Sequence, residues 1–174
     1  DGQVRETAFR ALVEWPDSMP ASFLLEVFTQ STDKVWRTLA LRGLVRMAIL
    51  ESSRANPESQ KKALGWLTSA NDQIRDSVDE KRLILSGLGS LKSVEGLRLL
   101  RPYLDDSTVQ QEAAVAVIQT TQALKSPQDR LMAKSLLEII LTISKDAGVL
   151  NPTRELIQQI PGKSIELKVR AEDQ

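Results

Sequence analysis

Small and aliphatic residues recur along this chain at a spacing that belongs to helices. Counting a basic or polar residue as position zero, small or apolar residues follow at positions three, six, seven and ten. The pattern reads Arg5-Ala8-Ala11-Leu12-Trp15, then Arg37-Ala40-Gly43-Leu44-Met47, then Lys81-Ile84-Gly87-Leu88-Leu91. Gln110-Ala113-Ala116-Val117-Thr120 is a fainter copy. At 100° per residue, positions three, four, seven and eight share one face. Their occupants are Ala8, Phe9, Leu12 and Val13, then Ala40, Leu41, Leu44 and Val45, then Ile84, Leu85, Leu88 and Gly89, then Ala113, Ala114, Val117 and Ile118. These are the expected core. Gly43 and Gly87 cost helix propensity, and close approach of a neighbouring helix is the expected compensation.

Punctuation between the periodic stretches is clear. Asn56-Pro57, Ser126-Pro127 and Asn151-Pro152 each pair an N-cap residue with proline at the first helical position. Ser77 with Glu80, and Ser107 with Gln110, match the capping-box spacing. Thr32-Asp33 and Asp105-Asp106 read as short polar turns. Helices are therefore predicted at about 2–14, 20–30, 33–51, 57–70, 77–91, 93–104, 107–125, 127–146 and 152–160. Short links predict antiparallel neighbours. The intervals from Arg5 to Arg37 and from Lys81 to Gln110 suit a two-helix repeat, and the one between them is roughly a dozen residues longer. Glu51–Pro57 and Ala70–Asp79 are the expected sites of that excess. A further copy, Arg130-Ala133-Leu136-Leu137-Ile140, follows too soon, so the regularity fails toward the C-terminus. The division predicted is a helical repeat domain over 1–161 and a tail over 162–174. Within the tail, Ser164–Arg170 alternates in polarity, which fits either a short strand or the start of a following domain.

Composition narrows the chemistry. Apolar residues make up 41% of 174, enough for a continuous core, and Phe, Trp and Tyr are only 4%. A core built from Leu, Ile, Val and Ala suits helix-on-helix packing. Lys plus Arg equals Asp plus Glu at 23 each, whereas a dedicated nucleic-acid binder carries a basic excess. Cysteine and histidine are both absent. Zinc sites built on them, disulfides, thiol nucleophiles and a Ser-His-Asp triad are thereby excluded. No apolar run approaches the ~18 residues of a membrane span. No signal-peptide pattern opens the chain, and a start at Asp1-Gly2 is what a processed chain or an excised domain would show.

The remaining motifs have structural readings. Gly162-Lys163-Ser164 lacks the earlier glycine of a phosphate-binding loop, since residue 157 is Ile. Gly87-Leu88-Gly89-Ser90 lies inside a helical pattern and has no histidine partner. The acidic pairs Asp105-Asp106, Asp72/Asp76 and Asp79-Glu80 fall in turns and at helix starts, where carboxylates complement the helix dipole. Trp15, Trp36 and Trp66 sit near helix ends and are assigned to interhelical packing ahead of ligand stacking. Asn151-Pro152-Thr153 is no glycosylation sequon because of its proline. No metal site, cofactor or catalytic constellation is expected.

These repeats resemble HEAT repeats, including the HEAT-like type found in phycobilin lyases. The residues that carry the resemblance are Val4-Arg5, Ala8 and Ala11-Leu12, then Trp36-Arg37, Ala40 and Gly43-Leu44, then Asp79-Glu80-Lys81-Arg82 and Gly87-Leu88-Gly89. It extends over roughly residues 3–145. Its strongest stretch, Glu80–Ala123, is similar to HEAT segments of large, often exported, bacterial multidomain proteins, in which such a segment lies beside carbohydrate-active or cytochrome-type domains. The resemblance implies an all-α fold, a right-handed HEAT/ARM-like α-α superhelix of about four helix pairs. It also implies a binding or scaffold role within a larger protein, and an exported or periplasmic location.

In HEAT arrays the second helix of each unit lines the concave side. Carried over, this places Arg10, Leu39, Arg42, Arg46, Leu83, Ser86, Val115 and Gln119 along a shallow groove with basic edges. The expected partner is another protein, or another domain of the same chain, with an acidic surface. For Leu39, Leu83 and Val115 the plainer reading is an ordinary surface residue, or one packed beneath a loop. Reversing Arg42 and Arg46 to Glu is expected to weaken binding and leave thermal stability nearly unchanged. Two other functions remain open at this point: nucleic-acid binding through the same arginines, and a lyase-type enzyme on a HEAT-like scaffold. An uncapped end of the array would also offer an apolar helix face for dimerisation.

Overall fold

A computed structural model describes residues 2–54 and 56–160. Among them, every regular element is helical. The order is α1 (Gly2–Val13), α2 (Ala21–Gln30), α3 (Lys34–Ser52), α4 (Pro57–Asn71), α5 (Val78–Ser90), α6 (Val94–Leu100), a short 3-10 helix (Arg101–Asp105), α7 (Gln110–Ala123), α8 (Pro127–Ile143) and α9 (Ala147–Gln159). The tail 162–174, with its alternating segment and Gly162-Lys163-Ser164, lies outside the described residues.

Most helix starts are set by the residues the sequence marks. Asp33 accepts from the amides of Val35 and Trp36, Asn56 from Ser59, Ser77 from Glu80 and Ser126 from Asp129. Each satisfies an amide that the first helical turn leaves orphaned. Three boundaries differ from expectation. The helix expected over 93–104 ends as α-helix at Leu100, and Pro102 falls in the 3-10 turn that follows, since proline cannot donate an interior α-helical bond. Ser107 does not cap α7. Asp106 folds back on the Thr108 amide, the N-cap position falls to Val109, and the Gln110 side chain donates instead to the Leu104 carbonyl. Helix α9 begins five residues before Pro152, because Asp146 caps it through Gly148; Asn151-Pro152 is an interior pair, not a start.

The helices pack in two rows. Along one, α1 packs on α3, α3 on α5, α5 on α7 and α7 on α9. In the other, α2 packs on α4 and α6 on α8, while α4 makes no extensive contact with α6. Between the rows lies one apolar core, supplied mainly by the expected stripe. Ala40, Leu41, Leu44, Ile84, Leu88, Ala113 and Val117 are all fully buried. Ala8 and Leu12 depart from the expectation: Ala8 is exposed and Leu12 half-buried. Among the described residues, α1 packs extensively on α3 alone of the odd-numbered helices.

The interior glycines sort by what surrounds them. A Cβ at Gly43 would meet Leu24 at 2.8 Å and the Val13 Cα at 3.2 Å; at Gly87 it would meet Leu67 and Val45 at 3.1 Å. At Gly89 it would lie 3.0 Å from the Ala116 backbone, so α5 and α7 touch nearly backbone to backbone. At Gly65, exposed on α4, it would meet nothing within 4 Å. Two alanine substitutions should therefore have opposite signs. Gly65→Ala should stabilise by about 0.5–1 kcal/mol through helix propensity alone. Gly89→Ala should destabilise by about 1–2 kcal/mol, because α7 must move away and overpacking exceeds the propensity gain. Thermal unfolding of both variants checks this, and equal signs would contradict the packing described.

Candidate functional site

Two of the position-zero residues, Arg37 and Lys81, tether successive units. Arg37, at 2% exposure, is the largest fully buried side chain. Its Nε donates to Glu80 Oε1 at 2.8 Å and its Nη2 to Glu80 Oε2 at 3.1 Å, a two-point ion pair between α3 and α5. Nη1 also donates to the Phe28 carbonyl at 2.6 Å and Nη2 to that of Gln73 at 3.0 Å, while the guanidinium lies 4.2 Å above the Phe28 ring. Glu80 further accepts from the Arg75 amide, which fixes the loop before α5. The next unit repeats the arrangement nearer the surface. Lys81 Nζ donates to Asp106 at 2.8 Å and to Asp76 at 3.2 Å. Its ammonium, with the Thr108 hydroxyl and amide, pulls the Asp106 carboxyl down to about 2, and Asp106 in turn raises Lys81. Arg82 pairs with Glu112, and Gln111 donates to Asp146, so the ladder runs from α3 to the start of α9.

A second buried carboxylate closes the other end of α3. Glu51 accepts from the Ser18 hydroxyl and, at 2.9 Å, from Ser59. The Ser18 bond is the main reason its carboxyl titrates below the usual range, against the opposing effect of burial. It joins the turn before α2 to the start of α4. Among the described residues every buried side-chain nitrogen and oxygen has a hydrogen-bond partner, so none is left over for a ligand.

The groove residues distribute as follows. Arg10 lies on α1, Leu39, Arg42 and Arg46 on α3, Leu83 and Ser86 on α5, and Val115 and Gln119 on α7, all on the side turned away from the buried stripe. Arg10 is exposed but occupied by Glu6 at 2.8 Å, one turn back on its own helix. Leu39 and Leu83 are half-buried and pack against the core. Arg42 is exposed and, among the described residues, makes no hydrogen bond or ion pair. Arg46 is committed to structure: its guanidinium donates to the carbonyls of Val13, at 2.8 Å, and Trp15, where α1 ends. Arg46→Glu would therefore release the end of α1, which corrects the expectation of unchanged thermal stability. Ser86, Val115 and Gln119 come together around a depression of about 440 Å³ between α5 and α7, with the Arg82–Glu112 pair on its rim. Val115 is 40% exposed there.

Two other concavities were not read from the sequence. An aromatic cleft of about 570 Å³ lies between α1 and the α2–α3 pair, with Phe9 and Trp36 rings 4.4 Å apart and Arg5 over Trp36. Trp66, by contrast, is buried, which fits a packing role. A larger cleft, about 710 Å³, lies between α4, α6 and α8. Its signal in the sequence was the spacing Pro57, Gln60, Lys61, Leu64, a second stripe on α4.

Among the described residues no group of three or more metal-ligating acidic side chains converges, and no helix is long and apolar enough to cross a membrane. The fold defines an all-α class of protein. No family model, curated protein or solved structure matches the chain.

Proposed function

We propose that this chain is a non-catalytic protein-interaction module, a HEAT-like solenoid whose odd-numbered helices present a partner-binding face within a larger protein. The observation that carries the reading is the serial placement of equivalent positions. Arg42 on α3, Ser86 on α5, and Val115 with Gln119 on α7 stand exposed on successive helices of one row, the last three around one depression. Row-wise display of this kind is how stacked helical repeats form extended binding surfaces. Arg42, the free cation of the set, favours an acidic partner. A nucleic-acid ligand draws less support, since Arg10 is neutralised by Glu6, Arg46 serves α1, and the net charge is zero.

Arg42→Glu combined with Val115→Asp tests the reading without disturbing a tether. Affinity capture should yield a stoichiometric partner with the wild type and lose it with the variant, at an unchanged melting temperature. Equal capture by both would remove this face from consideration. Retardation of DNA or RNA at low salt, abolished by Arg42→Glu, would transfer the face to nucleic acid.

A further inference from the structure

We propose that the cleft between α4, α6 and α8 is a second docking groove, one that takes an acidic amphipathic helix from a partner chain. It goes beyond the reading of the odd-helix face and uses none of its residues.

The cleft exists because the even row is open at one place. Helix α6 has seven residues, against fifteen in α4, and turns into a 3-10 helix at Arg101. Helices α2 and α4 pack together, as do α6 and α8, yet α4 and α6 make no extensive contact. The space left is about 710 Å³. Gln60, Lys61 and Leu64 form its α4 wall at the spacing of a helical ridge, the surface onto which another helix packs. Leu64, Val94 and Leu124 give it an apolar lining, and Met132 stands 47% exposed beside them, a flexible side chain suited to adapt to an apolar guest. A helix laid in such a groove buries one stripe and keeps its other face in water.

Charge decides the sign of the guest. Lys61 and Lys92 border the cleft, are exposed and, among the described residues, make no hydrogen bond or ion pair. Arg98 is the third cation on its lining. Two carboxylates share the lining, but both serve helix starts. Glu95 accepts from the Ser93 hydroxyl at 2.9 Å, and its carboxyl is held below the usual range chiefly by its own backbone amide. Asp129 lies in the first turn of α8, where the helix dipole favours it. Among the described residues Asp129 is the one carboxylate of the lining without a hydrogen bond or ion pair, against Lys61 and Lys92, and this cationic excess complements an acidic guest.

The chain has three methionines, and they report separately: Met47 is buried, Met19 is 75% exposed in the turn before α2, and Met132 lies in the cleft. The experiment pans a display library of helix-forming peptides on the purified chain, then titrates the enriched peptides into protein labelled at the methionine methyls. The expected result is a set of amphipathic peptides with an acidic excess that shift the Met132 methyl and leave Met19 and Met47 in place. Lys61→Glu with Lys92→Glu should weaken binding roughly tenfold and remove most of its salt dependence. Both positions are surface lysines without partners, so the melting temperature should not change. The proposal is overturned if no peptide is enriched, if the enriched peptides lack an acidic excess or leave Met132 unmoved, or if the double variant binds them equally well. None of those results bears on Arg42 or Val115, so the odd-helix face stands or falls separately.

Discussion

Arg37→Met should be the most damaging single substitution in the protein, with an expected loss of about 3–5 kcal/mol. The magnitude comes less from the attraction lost than from the groups abandoned. Glu80, at 5% exposure, would be left without its guanidinium partner, and the carbonyls of Phe28 and Gln73 would lose their donor. A buried carboxylate without a partner costs far more than a well-paired one gains. Replacing both residues, Arg37→Met with Glu80→Met, should therefore recover a good part of the stability, because the orphaned charge is removed too. Urea unfolding of the two single variants and the double variant gives the coupling energy directly. Additive losses would show that the pair acts as two unrelated side chains. Arg37→Lys should rescue little, since an ammonium cannot reproduce the forked geometry that meets Glu80 at two points and both carbonyls at once.

A comparable loss, about 2–5 kcal/mol, is expected for Leu88→Ala. Leu88 has no exposed surface, and it belongs to α5, the helix that packs on α3, α4, α6 and α7. Trimming it removes apolar contact and leaves a void that neighbours on both rows border. The void should not close by local adjustment, because α5 is pinned to α7 through the Gly89–Ala116 approach and to α3 through Glu80. At about 2–4 °C per kcal/mol for a chain of this size, the melting temperature should fall well outside measurement error. Val35→Ala, at a site 61% exposed, is the control and should change stability by no more than about 0.5 kcal/mol. A Leu88→Ala variant as stable as that control would mean that the packing around α5 is looser than described.

Much of the secondary structure was legible because helices announce themselves twice, by apolar period and by caps. Asn56-Pro57 and Ser126-Pro127 are local signals with local consequences, and both helices begin where those pairs stand. The misread boundaries share a cause. At Ser107 and at Asn151-Pro152 the local signal lost to a neighbour, Asp106 folding back on Thr108 in the turn before α7 in one case and Asp146 starting α9 early in the other. Such choices are settled by how the neighbouring helix packs, which period alone does not encode. Groove residues were less legible for the same reason. Arg42 and Arg46 are alike as letters four positions apart, yet one is exposed without a partner and the other closes the end of α1. Arg37 gave no local sign of its role: only the contact with Glu80, remote in sequence, makes a basic residue part of the core.

The tethers also divide the chain in an unexpected way. Arg37 and Glu80 stand on opposite sides of the loop before α5, as do Arg82 and Glu112 across the turn before α7. A helix pair cut out at either loop carries half of each bond and strands the other half in a dry interior or at a seam. The unit that holds together is then the junction, with both of its charges, and not the helix pair. A truncation that ends at either loop should therefore lose more stability than one that keeps both partners of each bond.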